Sequence, residues 1–307
     1  MKTLTAFKKE FDRHYKKHLQ HELPPVAGLA SSVRKTGKRL RPYLLQIGLE
    51  LAGKQGLSKN IVPLSHALEE LHTYAKLRDD FLDSPIPVTR KTVAQKILIA
   101  DLFFILAHQD FAALQPNIYR TLKKDWFELQ HHTWEGEYEE IVLGRSALQE
   151  IALQKTAYYT FAYPLAWGAR LAGRPTLATQ LFTIGKKLGI AYQFKNDLEP
   201  YEKRTIGEDI RNRQLTIVSV FATQQDPSLR KFFSKTKGST SNEEAQDIYQ
   251  QIIATPARTE VTLEISRILK RIKHDIMNLS IRKRDRAQFI SLLNEIFSTS
   301  NELADIP

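Results

Sequence analysis

Apolar residues recur at the three-and-four spacing of an α-helix along almost the whole chain, and no stretch alternates with period two between Asn-Gly or Asp-Gly turns. A chain patterned in this way buries its apolar surface by packing helix on helix, so the sequence predicts an all-α fold of about ten or more helices. In residues 176–199, Leu177, Leu181, Ile184, Leu188 and Tyr192 fall on one stripe, with Lys186, Gln193 and Asp197 near another. Leu64, Leu68, Leu71 and Ala75 repeat the arrangement upstream. Breaks are expected at Pro24-Pro25, residues 53–56, Pro85, Pro87, Pro116, Gly173 to Pro175, and Pro200. The polar stretch SKTKGSTSN, residues 234–242, reads as a mobile surface loop. With no internal repeat and no long linker, residues 1–307 are expected to form a single all-helical domain.

Composition narrows the partners. An apolar fraction of 42% over 307 residues is ample for a core. The best membrane-span candidate, residues 97–107, is interrupted by Asp101 and falls short of the roughly 20 residues required, so no transmembrane segment is expected. The N-terminal MKTLTAFKKEFDRHYKKHLQH lacks the apolar centre of a secretory signal, which points to the cytoplasm. Without cysteine the chain has no disulfide, no thiolate metal site and no cysteine nucleophile. The net charge of +11 admits nucleic acid, anionic lipid or a polyanionic small substrate. Its densest concentration, residues 267–286, is threaded by Ile268, Leu269, Ile272, Ile276 and Leu279 and reads as a solvated helix face. No nucleic-acid reading module is present, so nucleic acid is not expected as a partner.

Two clusters carry chemistry. In LHTYAKLRDDFLDS, residues 71–84, Asp79, Asp80 and Asp83 stand at i, i+1 and i+4 on a helix ending before Pro85. Carboxylates so close repel one another and oppose the helix dipole unless a cation sits among them. Magnesium, which takes oxygen ligands and substrate phosphates, suits the position, although a solvated acidic helix end has the same spelling. In TGKRLRP, residues 36–42, Lys38, Arg39 and Arg41 gather beside Gly37, a set of donors matched to a diphosphate or simply a basic turn. His131, His132 and Glu135 have a possible metal-ligand spacing, but Trp134 and the neighbouring aromatics read as core.

Taken in order, GKRLRP, HTYAKLRDDFLD, the lysine of QKTAYYTFAYPLAWGARLAG, and LGIAYQFKND resemble the trans-prenyl diphosphate synthases over roughly residues 34–218. The resemblance implies an isoprenoid synthase-like helical bundle around a central cavity, an aspartate-rich helix on each side of its mouth, and a homodimer. It also implies a magnesium-dependent reaction: an allylic diphosphate ionises, the double bond of isopentenyl diphosphate attacks the allylic cation, and a proton is lost. Asp79, Asp80 and Asp83 are then the metal ligands. Lys38, Arg41 and His72 match positions that hold isopentenyl diphosphate, and Lys155, Thr156 and Gln193 match positions that meet the allylic diphosphate or the nascent cation. Tyr74, five residues before Asp79, matches a position whose aromatic ring is associated with short products, here about fifteen to twenty carbons from the cavity depth it would leave.

The chain departs from the family pattern in several places. The second aspartate-rich motif is reduced to Asn196, Asp197, Leu198, Glu199 and Pro200, which implies a more weakly held third magnesium at Asn196 and Asp197. The usual downstream lysine is replaced by Gln214, with Arg211 and Arg213 nearby, and Glu137 stands where glutamine is common. The paired arginines that usually follow the first motif have one counterpart, Arg90-Lys91, assigned to substrate binding. These departures keep two other readings in view: a relative that prenylates a peptide, as in competence-pheromone modification, and a catalytically weak regulatory subunit of a heteromeric synthase.

Overall fold

The computed structural model describes residues 2–23, 37–56, 58–82, 90–140, 148–234 and 240–297, the side chains of residues 82 and 90–92 excepted. Every regular element among them is helical and no strand occurs, as the periodicity predicts. In chain order the helices are α1 (Leu4–Glu22), α2 (Leu40–Leu51), α3 (Val62–Leu82), α4 (Arg90–Ala112), α5 (Pro116–Tyr138) and α6 (Leu148–Ala152). A π-helical stretch, Leu153–Ala162, runs into α7 (Tyr163–Leu171), followed by α8 (Pro175–Glu202), α9 (Glu208–Arg211) and α10 (Ile217–Gln225). The chain continues through α11 (Ser228–Phe233), α12 (Asn242–Ala254), α13 (Ala257–Met277) and α14 (Lys283–Phe297).

Local chemistry fixes several of these ends. Thr3 caps α1 by accepting from the Ala6 amide at 3.3 Å, Ser241 caps α12 through Glu244, and Thr216 and Ser219 form a reciprocal capping box at α10. Pro200 does not break its helix as expected. It lies inside the last turns of α8, which ends two residues later near Arg204 in the left-handed conformation. A proline there removes only the amide that would reach the Asn196 carbonyl, a small loss so near a helix end.

Contacts divide the chain into two compact units. The first comprises Met1–Gln130, Tyr159–Thr183 and Leu279–Leu292. Its core gathers Leu44, Leu45, Leu64, Leu68, Phe103, Trp126 and Trp167, all fully buried. Gly48 of α2 and Gly168 of α7 face each other so closely that a Cβ on either would strike the other helix's backbone. The second comprises His131–Tyr158, Ile184–Asn278 and Leu293–Pro307. Its core includes Leu188, Phe194, Tyr201, Val218, Ile252, Val261 and Ile272. On α13, Arg267, Lys270, Arg271 and Lys273 are exposed while Ile265, Ile272 and Ile276 are buried, the solvated basic face read from the sequence. Residues 235–239, most of the polar loop, lie outside the described residues. Trp134 corrects an expectation: it is 61% exposed, stacked on Tyr138 rather than packed in a core. It faces outward on α5, a register the mixed polar and aromatic spelling around it did not reveal.

Candidate active site

In the first unit, the two arginines at the start of α2 have different surroundings. Arg39 adopts the left-handed region at φ 57°, a conformation uncommon for a side chain of its size, and is held there by Asp12 at 2.6 Å and Glu69 at 2.9 Å. Its charge is spent inside the fold. Arg41, 7% exposed, donates to Thr160 Oγ1 at 2.7 Å and lies 4.2 Å from the Tyr159 ring centroid. Among the described residues no carboxylate pairs with it, and its buried Nε has no hydrogen-bond partner. Tyr159 also approaches His72 of α3, hydroxyl to Nδ1, at 3.4 Å. Arg41, Tyr159, Thr160 and His72 thus form one cluster, with Lys38 exposed three residues upstream of Arg41. Tyr159 and Thr160 were not singled out from sequence; the π-helical stretch that carries them was invisible there, although such stretches gather at functional sites.

Asp79 and Asp80 lie in the last turn of α3. Asp79 is half-buried, and Asp80 is exposed and paired with Lys76 one turn earlier at 3.1 Å. Asp83 lies outside the described residues. Arg90 and Lys91 open α4, their side chains also outside. Tyr74 is half-buried against the Phe104 ring, centroids 4.9 Å apart, with Arg78 5.8 Å from its own centroid.

The second unit holds Lys155, Thr156, Gln193, Asn196 and Asp197. Glycines let the π-helical stretch approach its neighbours: a Cβ on Gly136 would stand 2.7 Å from the Lys155 amide nitrogen, and one on Gly189 would collide with Ala157. Thr156 Oγ1 donates to Gln193 Oε1 at 2.7 Å, and Gln193 Nε2 donates to Asp197 Oδ1 at 2.8 Å. The Ile217 amide at the start of α10 donates to Asp197 Oδ2 at 3.2 Å. Burial raises the Asp197 carboxyl to about 7 despite these donors, helped by the Asp209 and Glu140 charges. Although part of Asp197 remains exposed to solvent, both its oxygens are engaged, Oδ1 within α8 and Oδ2 in joining α8 to α10. Asp209, accepting from Tyr201 at 3.3 Å, is itself raised by burial to about 6.

Two of the departures noted in the sequence, Glu137 and Gln214, meet in one network. Lys155 Nζ lies 2.6 Å from Glu140 and 3.2 Å from Glu137, while Gln214 Nε2 donates to the other Glu140 oxygen at 2.6 Å. Glu140 was missed, although its place three residues after Glu137 on the same helical face signals a shared partner. His131 and His132 each pair with Glu135 at 3.3 Å, and His132 stacks on Tyr158.

Residues 27–255 match the model of the family described as Polyprenyl synthetase. The farnesyl diphosphate synthase of Micrococcus luteus is 26% identical over 226 residues, 64% of this chain and 76% of that protein. Solanesyl diphosphate synthase 1, chloroplastic, of Arabidopsis thaliana is 26% identical over 221 residues, 63% of this chain but 53% of its own length. The fold is shared with geranylgeranyl pyrophosphate synthase from Corynebacterium glutamicum, solved with isoprenyl diphosphate and magnesium. That structure superposes with a TM-score of 0.78 at 23% identity, covering 94% of this chain and 98% of the other.

Proposed function

The chain belongs to the polyprenyl synthetase family and is a trans-prenyltransferase, and from that premise we propose that it condenses isopentenyl diphosphate with an allylic diphosphate to a product of about fifteen to twenty carbons. One observation carries the reading: the buried Arg41 guanidinium has no carboxylate partner among the described residues and keeps an unused donor. A buried cation without an anion is expensive, and a diphosphate group presented to it supplies the missing charge. Arg41 and His72, assisted by Lys38, hold isopentenyl diphosphate in this reading, with the Tyr159 ring fixing the guanidinium plane.

Asp79 and Asp80 fit magnesium by donor chemistry: they are oxygen ligands at a helix end with enough exposure for the ion to keep waters. Asp83 completes the motif. Magnesium bound there stabilises the negative charge that develops on the departing diphosphate. Lys155 and Thr156 face the allylic diphosphate, and Gln193 is fixed by its two hydrogen bonds for the nascent cation. Because Glu137 and Glu140 already neutralise Lys155, its grip on the diphosphate is weakened. Asn196 and Asp197 form the lesser metal site, since both Asp197 oxygens already accept hydrogen bonds. The allylic C–O bond breaks, a C–C bond forms to isopentenyl diphosphate, and the adduct loses a proton. Arg90-Lys91 supply further positive charge. Tyr74, backed by Phe104, sets the floor against the growing chain.

No helix among the described residues is long and apolar enough to cross a membrane, and we place the enzyme in the cytoplasm as a homodimer. Leu98 (67% exposed), Ile105 (54%) and Phe127 (50%) are the apolar surface that a second copy would cover.

Purified protein with magnesium, isopentenyl diphosphate and allylic primers tests the assignment. Longer prenyl diphosphates are expected from the protein alone; a requirement for a peptide acceptor, or silence without a second subunit, would refute it. Asp79→Ala and Asp83→Ala should each slow turnover at least about a hundredfold. A folded Tyr74→Ala enzyme should lengthen the product by one or more five-carbon units, and an unchanged product removes Tyr74 as the floor.

A further inference from the structure

Three helices of the first unit bring imidazole and carboxylate groups to one point apart from the aspartate-rich motif. His14 and His18 stand one turn apart on α1, His66 and Glu70 one turn apart on α3, and Asp110 lies near the end of α4. Glu70 precedes Asp79 by nine residues, about 13 Å along the helix axis. Asp110 Oδ2 is 2.9 Å from His18 Nε2 and 3.6 Å from His66 Nδ1, and His18 Nε2 is 3.3 Å from Glu70 Oε1. One ligand atom from each of His18, His66 and Asp110 lies within 4.8 Å of the other two.

These separations bracket a familiar length. A metal bonded at about 2.0–2.2 Å to four nitrogen and oxygen ligands sets them about 3.3–3.6 Å apart along each tetrahedral edge. The atoms are also out of line for one another: buried His18 Nε2 and Asp110 Oδ2 are in contact without hydrogen-bond alignment. His66 Nε2 meets His14 Nδ1 at 3.4 Å, the kind of outer contact that orients a ligating imidazole. The Tyr15 ring packs on both His18 and His66, and Glu70 is fully buried, so the cluster is shielded from water.

We propose that His18, His66, Asp110 and Glu70 form a structural site for a tetrahedral divalent transition metal, zinc being the ion whose ligand preferences they match, which ties α1 to α3 and α4. Two imidazoles favour such an ion over magnesium, which takes oxygen, and four protein ligands leave no open position for catalysis. Without metal, a proton joins the same groups: burial opposes charge on His18, but Asp110 and Glu70 outweigh it and raise its pKa to about 10. Metal binding displaces that proton.

Metal retention by the full chain tests the site. Zinc-loaded protein is dialysed and zinc per chain counted by mass spectrometry, with cobalt(II) substituted for spectroscopy. One retained ion per chain and the intense visible bands of tetrahedral cobalt are expected. His18→Gln and Asp110→Asn should each weaken retention about a hundredfold or more, whereas Asp79→Asn should leave it unchanged. Wild-type protein with 15N-labelled histidine rings gives a readout free of variants, in which zinc shifts the ring nitrogens of two histidines. No retained ion, octahedral cobalt bands, unshifted ring nitrogens, or full retention in folded His18→Gln would overturn the site in favour of the proton-bridged cluster.

Discussion

Lys155 lies between Glu137 and Glu140, and Gln214 holds the far oxygen of Glu140, so residues that look like separate departures from the family pattern act on one cation. Glu137→Gln should release Lys155 from one of its two carboxylates. The KM for the allylic diphosphate then falls about threefold to tenfold, while the KM for isopentenyl diphosphate stays put. Steady-state kinetics with each substrate varied in turn decides this. Arg41 gives the opposite test. Arg41→Lys keeps the charge but loses the planar fork held over Tyr159, and should raise the KM for isopentenyl diphosphate about tenfold to a hundredfold. A fall in kcat with that KM unchanged would contradict the binding role. Arg39, two residues away and identical in sequence character, is committed to Asp12 and Glu69. The distinction between these arginines was not legible, because the acidic partners of Arg39 lie 27 and 30 residues away in the chain.

At the scale of elements, glycines decide where helices can touch. Gly189 admits Ala157 of the π-helical stretch against α8, the contact that brings Thr156 within reach of Gln193. Gly189→Ala should destabilise the fold by about 1–3 kcal/mol and also reduce turnover, since the methyl group pushes the stretch from α8. Gly48→Ala strikes the α7 backbone instead and should lower stability by a similar amount, with turnover per folded molecule preserved. Thermal melts paired with active-site titration separate the two; equal loss of specific activity in both variants would refute the distinction. Helix α8 itself was foreseen nearly in full, because Leu177, Leu181, Ile184 and Leu188 declare its buried face. Its continuation past Pro200 was not, because a proline's effect depends on how many turns follow it.

For the whole molecule, apolar surface and ligand binding give two measurable consequences. Leu98→Glu combined with Ile105→Glu places charge on the exposed face of α4 and should convert a dimer to monomer in sedimentation analysis, with helical content unchanged. A dimer that survives both changes lies elsewhere. An allylic diphosphate with magnesium at a hundred times its Kd should stabilise the fold by about 2.7 kcal/mol, a melting shift of roughly 4 °C for a chain of this size. Asp79→Ala should abolish that shift while leaving the melt of the unliganded protein in place.

Sequence alone determined the fold class, the positions of the long helices and the order of the motifs, because these depend on periodicity and on neighbours within a turn or two. It also singled out Asp79, Arg41, His72, Lys155 and Gln193 as candidates, each lying within a motif. Tertiary structure alone decided what each charge faces. It paired Arg39 with acids and gave Arg41 an aromatic ring, engaged both oxygens of Asp197, and turned Trp134 outward. It also gathered His18, His66, Glu70 and Asp110, drawn from three helices, into one cluster. The physical reason is range: backbone hydrogen bonding and helical periodicity act over about four residues, whereas electrostatic pairing and packing act through space, whatever the separation along the chain.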